Sequence, residues 1–422
     1  MIFEIADIPL FKQKALQWAA THEVCSYLDS NSHSNGYSKF DALIAAGVKS
    51  ELIAGAGDAF NKLNQFRQQH TGWLTGFLGY DLKNETEQLN SIHTDNLHFP
   101  DLYCFEPEHL VIIKGEVIEI LSDNAEQIFA EINEKELYPI QKPNGLNLKA
   151  RFSRDEYIQT FDRIKQHINR GDIYVTNFCQ EFYVENAIIH PVSIFSELNS
   201  ISRTPFASFF KYHQQYILCA SPERFLAKRG DKLISQPIKG TARRGSTEAE
   251  DNAIKIALRN NLKEQQENVM VVDMVRNDLT KSAVPGTVKT EELFGIYSFK
   301  QVHQMISTVT CELQNGLPGV EAIRNTFPMG SMTGAPKVSA MQLMEQYERT
   351  RRSIYSGAVG YFSPDDDFDF NVVIRSILYN ANERYLSFEV GSAITFDAKA
   401  EDEYDECLLK AKAILEVLQV KL

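Results

Sequence analysis

The feature that most constrains the fold is a set of short apolar runs that come in neighbouring groups, with helical segments spread irregularly between them. Tyr174–Phe182, Tyr216–Cys219 and Val372–Tyr379 read as strands, and the last is too apolar to lie on an open surface. A regular strand–helix alternation would predict a parallel sheet. This irregular grouping predicts an α+β fold with largely antiparallel sheets.

The chain has 422 residues, enough for one large domain or two smaller ones with real cores. A turn signal at Gln141-Lys142-Pro143-Asn144-Gly145 suggests two regions, 1–146 and 147–422. Just beyond it, Ser153 and Glu156 form a capping-box pattern. Tyr157, Phe161, Ile164 and Ile168 follow at helical spacing, and Gly171 closes the segment.

Charge and composition exclude several classes of function. With 43% hydrophobic and 23% charged residues the chain is ordinary globular material. Its net charge of −13 opposes binding to nucleic acid and to anionic membranes. An anionic substrate must therefore be held by local groups or by a bound cation. The N-terminal segment lacks the basic flank and apolar run of a signal peptide, and no stretch is apolar for the length of a membrane helix. Six cysteines lie far apart with no CxxC pair, which fits a reduced, cytoplasmic setting rather than a zinc or disulfide scaffold. Neither GxGxxG nor GxxxxGK[ST] occurs, so dinucleotide and triphosphate loops are not indicated.

Two carboxylate pairs stand out: Glu264 with Glu267, and Glu403 with Glu406. Each is an i, i+3 pair, so on a helix its members point the same way. In the second segment Tyr404, Cys407, Leu408, Ala411, Ile414, Leu415 and Leu418 make an apolar stripe, with Glu403, Glu406 and Lys410 along an adjacent face. A single ExxE is most often a solvated acidic face. If the two pairs meet, however, four like charges call for a cation, and all-oxygen ligands suit magnesium.

Lys239, in SQPIKGTARRG, is by itself best read as a surface lysine beside a turn. As a nucleophile it would need a closed pocket, where loss of hydration favours a neutral amine. Glu223, in SPERF, is a candidate general acid if an apolar site keeps it protonated. FPMGSMTGAPK is a Gly-rich loop before a helical pattern, with Pro336 suited to the first turn and backbone N–H groups that would favour an anion. Gly391-Ser392-Ala393 reads as a turn before the acidic C-terminal helix. Arg375, inside VVIRSIL, should meet either a buried structural acid or a substrate carboxylate. The acidic run Asp365–Asp369 reads as an exposed turn without chemistry.

Taken in order, PIKGT, ExxENVMVVDMVRNDL, FPMGSMTGAPK, IYSGAVGY, VVIRSI and the C-terminal ExxE resemble the chorismate-utilising enzymes over about residues 150–422. TGWLTGFLGYDL in 1–146 is similar to that family's Gly-aromatic segment, in a reduced N-terminal region. The resemblance implies antiparallel sheets in a sandwich-like core with helices packed outside. It implies that Glu267 and Glu406 ligate Mg2+, supported by Glu264 and Glu403, and that the ion holds the ring carboxylate of chorismate. Tyr355, Arg375, Lys410 and the backbone around Gly391, Ser392 and Ala393 would bind substrate carboxylates. Thr241 and His303 would line the pocket, although a lone histidine is by default a core or surface residue.

Within the family, PIKGT resembles the aminodeoxychorismate synthases, in which this lysine is a covalent nucleophile; anthranilate synthases usually carry Ala there. The implied reaction makes 4-amino-4-deoxychorismate from chorismate and ammonia, with the ammonia supplied by a glutamine amidotransferase subunit. An anthranilate synthase first component, or a non-catalytic subunit that keeps the pocket, are the alternatives. Water-adding relatives carry a base lysine where Val175 stands, and Val175 cannot take a proton. The family's last turn glycine is replaced by Ala393, which would be penalised if the position needs positive φ. Ser26–Ser30 only faintly echoes the segment that binds tryptophan in regulated relatives, which predicts weak or absent inhibition by tryptophan.

Overall fold

A computed structural model describes residues 1–33, 36–300 and 302–421. Every strand pairing among the described residues is antiparallel, and one hydrogen-bonded path runs through two facing layers. The first layer runs from Val175–Val184 through Tyr385–Ile394, Ser376–Asn380, Gln215–Ser221 and Phe206–Tyr212 to Val24–Asp29. The second contains Leu74–Leu78, Ala358–Phe362, Phe368–Asn371, Arg224–Arg229, Lys232–Gln236 and Val302–Glu312.

Two long strands, Ala42–Ala54 and Leu102–Lys114, belong to both layers. Ala42–Ala46 reaches toward the first layer, where Cys25–Asp29 pairs with it. Leu102–Phe105, at the other end of the ladder, pairs with Leu74–Leu78 of the second. The register shift between Val48 and Ser50 lies between these stretches, and a bulge of this kind bends a strand. The expected regions 1–146 and 147–422 thus contribute strands to both layers, while 135–148 between them carries no regular element.

Two cores follow from this arrangement. Phe77, Phe210, Cys219, Leu226, Val309 and Phe362 meet between the layers. Phe161, Ile164, Phe178, Phe182, Phe388 and Ile414 fill the space between the first layer and its covering helices. The helix Arg154–Arg170 has the expected ends: Ser153 and Glu156 exchange capping hydrogen bonds, and Gly171 closes it at φ 83°. Its predicted apolar residues are all buried, each contributing roughly 1.5–3 kcal/mol. All six cysteines are buried and unpaired, and no described helix is long and apolar enough to cross a membrane.

Three expectations of local structure are corrected. Val372–Tyr379 is not one strand: the ladder of Phe368–Asn371 ends in the second layer, and Ser376–Asn380 begins in the first. The chain turns between them at Arg375, with φ 54°. Gly391–Ala393 is not a turn but the end of the strand Tyr385–Ile394, and Ala393 does not have positive φ. Asp365–Asp369 is not simply exposed. Asp365 and Asp367 pair with Lys39 at 2.5 and 2.6 Å, and Asp369 pairs with Arg224 and Arg229 at 2.9 and 2.5 Å. Asp365 and Asp366 lie in an exposed turn, as expected, while Asp367 and Asp369 are drawn in against these cations.

Candidate active site

The layer change at Arg375 has a companion. Ser221 ends a strand of the first layer and Arg224 begins one of the second, so Pro222-Glu223 also spans the layers. The two crossings are stitched together by the Val372 N–H, which donates to the Glu223 carbonyl at 3.0 Å. One end of the sandwich therefore displays a carboxyl and a guanidinium from residues that no sheet ladder engages. Helix Leu262–Thr280 packs on the neighbouring strands Ile238–Arg243 and Val302–Glu312, and helix Ala400–Leu418 packs on Tyr385–Ile394.

Glu223 is 4% exposed. Burial pushes its carboxyl up to about 7, although Ser331, Lys239 and Lys410 pull the other way. Ser331 has a buried hydroxyl with no hydrogen bond of good geometry, so it is available to the carboxyl or to a ligand. Lys239 is half-buried on Ile238–Arg243. Its charge is felt by Glu223, Glu264 and Glu406, which brings the amine within electrostatic reach of these acids. Gly240 beside it has φ 97°, and a Cβ there would come within 3.1 Å of Glu264 Oε2. Glycine thus lets the strand turn its amine inward while the acidic helix approaches.

The two glutamate pairs converge, which their spacing allowed but did not require. Glu264 and Glu267 lie on the first acidic helix, Glu403 and Glu406 on the C-terminal one. Burial, then Glu267 and Glu406, push Glu264 up. Burial, then Glu406, push Glu403 up to about 7. Burial works against ionisation of Glu406 too, but Lys410, 2.7 Å away, holds it down to about 2. Among the described residues no three acidic, His or Cys side chains are drawn together closely enough to form a ready metal cage. Instead Lys263 Nζ stands between the helices, 3.8 Å from Glu267 and 3.6 Å from Glu403. The four carboxylates share this space with the ammonium groups of Lys239, Lys263 and Lys410, and Glu406 also interacts with the Arg375 guanidinium. An all-carboxylate donor set with a lysine lodged in it fits a magnesium ion, which needs only one or two carboxylates and otherwise keeps water or substrate oxygens.

Arg375 forms no ion pair among the described residues. Among those residues its guanidinium makes one hydrogen bond, a long one of 3.5 Å to the Lys410 carbonyl, and burial lowers its pKa. Of the two partners expected for it, no structural acid is present. Lys410 Nζ donates to the Gly391 carbonyl at 2.7 Å, and Tyr355 nearby is 4% exposed. Ser392 is fully buried, its Oγ 3.0 Å from the Tyr157 hydroxyl, and Ala393 lies opposite Asn177.

Thr241 is exposed on the Lys239 strand. His303 lies opposite Ala242 on the strand that pairs with the Lys239 strand. It is fully buried with Nε2 2.8 Å from Asp251 and Nδ1 2.9 Å from Ser298, so both ring nitrogens serve a structural contact. Val175 is buried and pairs with Ala335. In the Gly-rich loop the Met332 and Thr333 N–H groups bond within the loop, and Pro336 caps the helix Lys337–Tyr347 rather than entering it.

Three residues of the site escape the sequence reading. Asn268 donates to the Lys239 carbonyl at 3.4 Å and accepts from Ser307 Oγ at 2.6 Å, which ties strand to helix. Ser331 and Lys263 are the others. Of these only Lys263 had a readable signal, its i, i+4 relation to Glu267.

The sequence profile of the chorismate binding enzyme family matches residues 17–416. Aminodeoxychorismate synthase component 1 of Bacillus subtilis (strain 168) is 31% identical over 366 residues, covering 83% of this chain and 77% of its own. The protein of the same name from Escherichia coli (strain K12) is 32% identical over 352 residues, with 82% and 77% covered. The crystal structure of anthranilate synthase component I from Streptococcus pneumoniae TIGR4 superposes with a TM-score of 0.77 at 23% identity, over 90% of this chain and 94% of that one, a likeness of fold. With the profile spanning nearly the whole sequence and both layers of the sandwich, this chain belongs to the chorismate-binding enzymes.

Proposed function

We propose that the chain is the first component of an aminodeoxychorismate synthase, converting chorismate and ammonia to 4-amino-4-deoxychorismate on the way to 4-aminobenzoate and folate. The observation that carries this reading is the Lys239 amine within electrostatic reach of a buried, protonatable Glu223. The names of the relatives at 31–32% identity support it.

The Lys239 amine attacks ring C2 in its neutral form. The two ring double bonds shift, the C4–O bond breaks, and Glu223 gives its proton to the departing hydroxyl, which leaves as water. Ammonia then forms the new C4–N bond, the double bonds shift back, and the C2–N bond to Lys239 breaks. The proton lost by ammonia is available to the departing lysine or to Glu223. Splitting the substitution in two gives each step an allylic path. A carboxyl with a pKa near 7 is matched to proton donation at neutrality. Arg375, with no acid of its own, and Lys410 would hold the carboxylates of chorismate. Val175 offers no base for water, which disfavours hydration of the ring.

Glu267 and Glu406, with Glu264 and Glu403 beside them, are the residues that would hold Mg2+. When bound, the ion supplies positive charge to a substrate carboxylate. Ammonia would come from a separate glutamine amidotransferase subunit, and the buried thiols suit a reducing, cytoplasmic setting.

Intact mass spectrometry with chorismate and magnesium, but no ammonia, tests the assignment. An adduct is expected on the native protein and none on Lys239→Ala. An adduct that persists in the variant would remove Lys239 from its role. With ammonium salt added, a product that retains the pyruvyl carbons is expected, whereas anthranilate would point to the other branch of the family.

A further inference from the structure

Lys263 has no part in the chemistry above, yet it occupies the most charged point of the site. It immediately precedes Glu264 on the first acidic helix, and its ammonium lies 3.8 Å from Glu267 of that helix and 3.6 Å from Glu403 of the other. Of the other two ammonium groups, Lys410 is committed to Glu406 and to the Gly391 carbonyl, each at 2.7 Å, and Lys239 forms no ion pair among the described residues. Among the described residues, Lys263 is the one ammonium within ion-pair distance of carboxylates on both helices. Its side chain is 48% exposed, while those of Glu267 and Glu403 are only 12% and 3% exposed. The lysine therefore reaches in from solvent to acids that are themselves enclosed, on a flexible four-carbon stem that can swing out again.

We propose that Lys263 is a resident cation that competes with magnesium for these carboxylates. It keeps the two helices together in the ion-free protein and withdraws into solvent when the divalent ion arrives. The inference rests on the magnesium reading given above. Without a cation, converging carboxylates repel one another across the gap between their helices. A single ammonium offsets part of that repulsion, and an ion of twice the charge displaces it. The displaced contacts count against the ion, so the lysine weakens magnesium binding while it stabilises the protein in the ion's absence. Both contacts are long and the ammonium is half-exposed, so the effect is modest.

The test is calorimetric titration of magnesium chloride, without chorismate, into the full chain and into Lys263→Met and Lys263→Arg, with thermal melting in parallel. Lys263→Met is expected to bind magnesium about three- to tenfold more tightly than the native protein. It should melt at a lower temperature in metal-free buffer, and magnesium should close that deficit. Lys263→Arg, which keeps the charge, should bind magnesium as the native protein does. Equal or weaker binding by Lys263→Met, or tighter binding by Lys263→Arg, would overturn the competition and leave the magnesium reading intact. Failure of all three proteins to take up magnesium would overturn both.

Discussion

Glu223 stands buried where the chain passes between layers, facing Lys239, Lys410, Ser331 and the Ile238 N–H. Its carboxyl rises from an ordinary 4.5 to about 7 because burial disfavours the charge more than these groups favour it. The folded protein therefore binds this proton more tightly than the unfolded chain does. The resulting stabilisation is present below pH 4.5 and is lost as the pH rises through about 7. Glu223→Gln is expected to gain stability relative to the native protein on going from pH 5 to pH 8, by at most about 3 kcal/mol. Melting curves at the two pH values measure this, and a gap that does not change with pH would refute it. The same variant should lose roughly 10²–10⁴ in kcat, as expected for removal of a general acid.

Among the elements, the strand Ile238–Arg243 and the helix Leu262–Thr280 act as a pair, joined by Asn268. Asn268→Ala leaves the Ser307 hydroxyl without its buried acceptor and the Lys239 carbonyl without its donor. Urea unfolding should register a loss of about 1–3 kcal/mol. Adduct formation should slow more than chorismate affinity falls, because the amine loses its placement. Unchanged adduct kinetics would show that the strand is held by other means.

Helical periodicity and capping made much of this level legible. The i, i+3 glutamates, the apolar stripe of the C-terminal helix and the helix from Ser153 to Gly171 are local patterns, and local patterns survive folding. The features that were not legible are those set by tertiary contacts. Arg375 takes positive φ because the chain changes layers there, and nothing in VVIRSIL announces a corner. The Gly391–Ala393 segment reads as a turn by composition, yet it pairs with Asn177–Cys179 in the sheet. The cations that neutralise Asp365–Asp369 come from positions as distant as Lys39 and Arg229.

For the whole molecule, the interleaving of early and late strands is decisive. Val24–Asp29 pairs with Phe206–Tyr212 in one layer, and Leu74–Leu78 pairs with Ala358–Phe362 in the other. A fragment of residues 147–422 would expose one bare edge in each layer, on strands whose faces are mostly apolar. Such a fragment is expected to aggregate on expression and to give a soluble, cooperatively melting species only when residues 1–146 are supplied. A fragment that melts cooperatively by itself would refute this.

The same interleaving bears on how the protein is made. Leu74–Leu78 leaves the ribosome roughly 280 residues before its partner Ala358–Phe362, which at 5–20 residues per second is a wait of some tens of seconds. During that interval the strand is paired on one edge only, by Leu102–Phe105, its other edge stays bare, and neither layer can close until translation is nearly complete. Synthesis rate and chaperone supply should therefore govern the yield of active protein more strongly than the stability of the finished sandwich does.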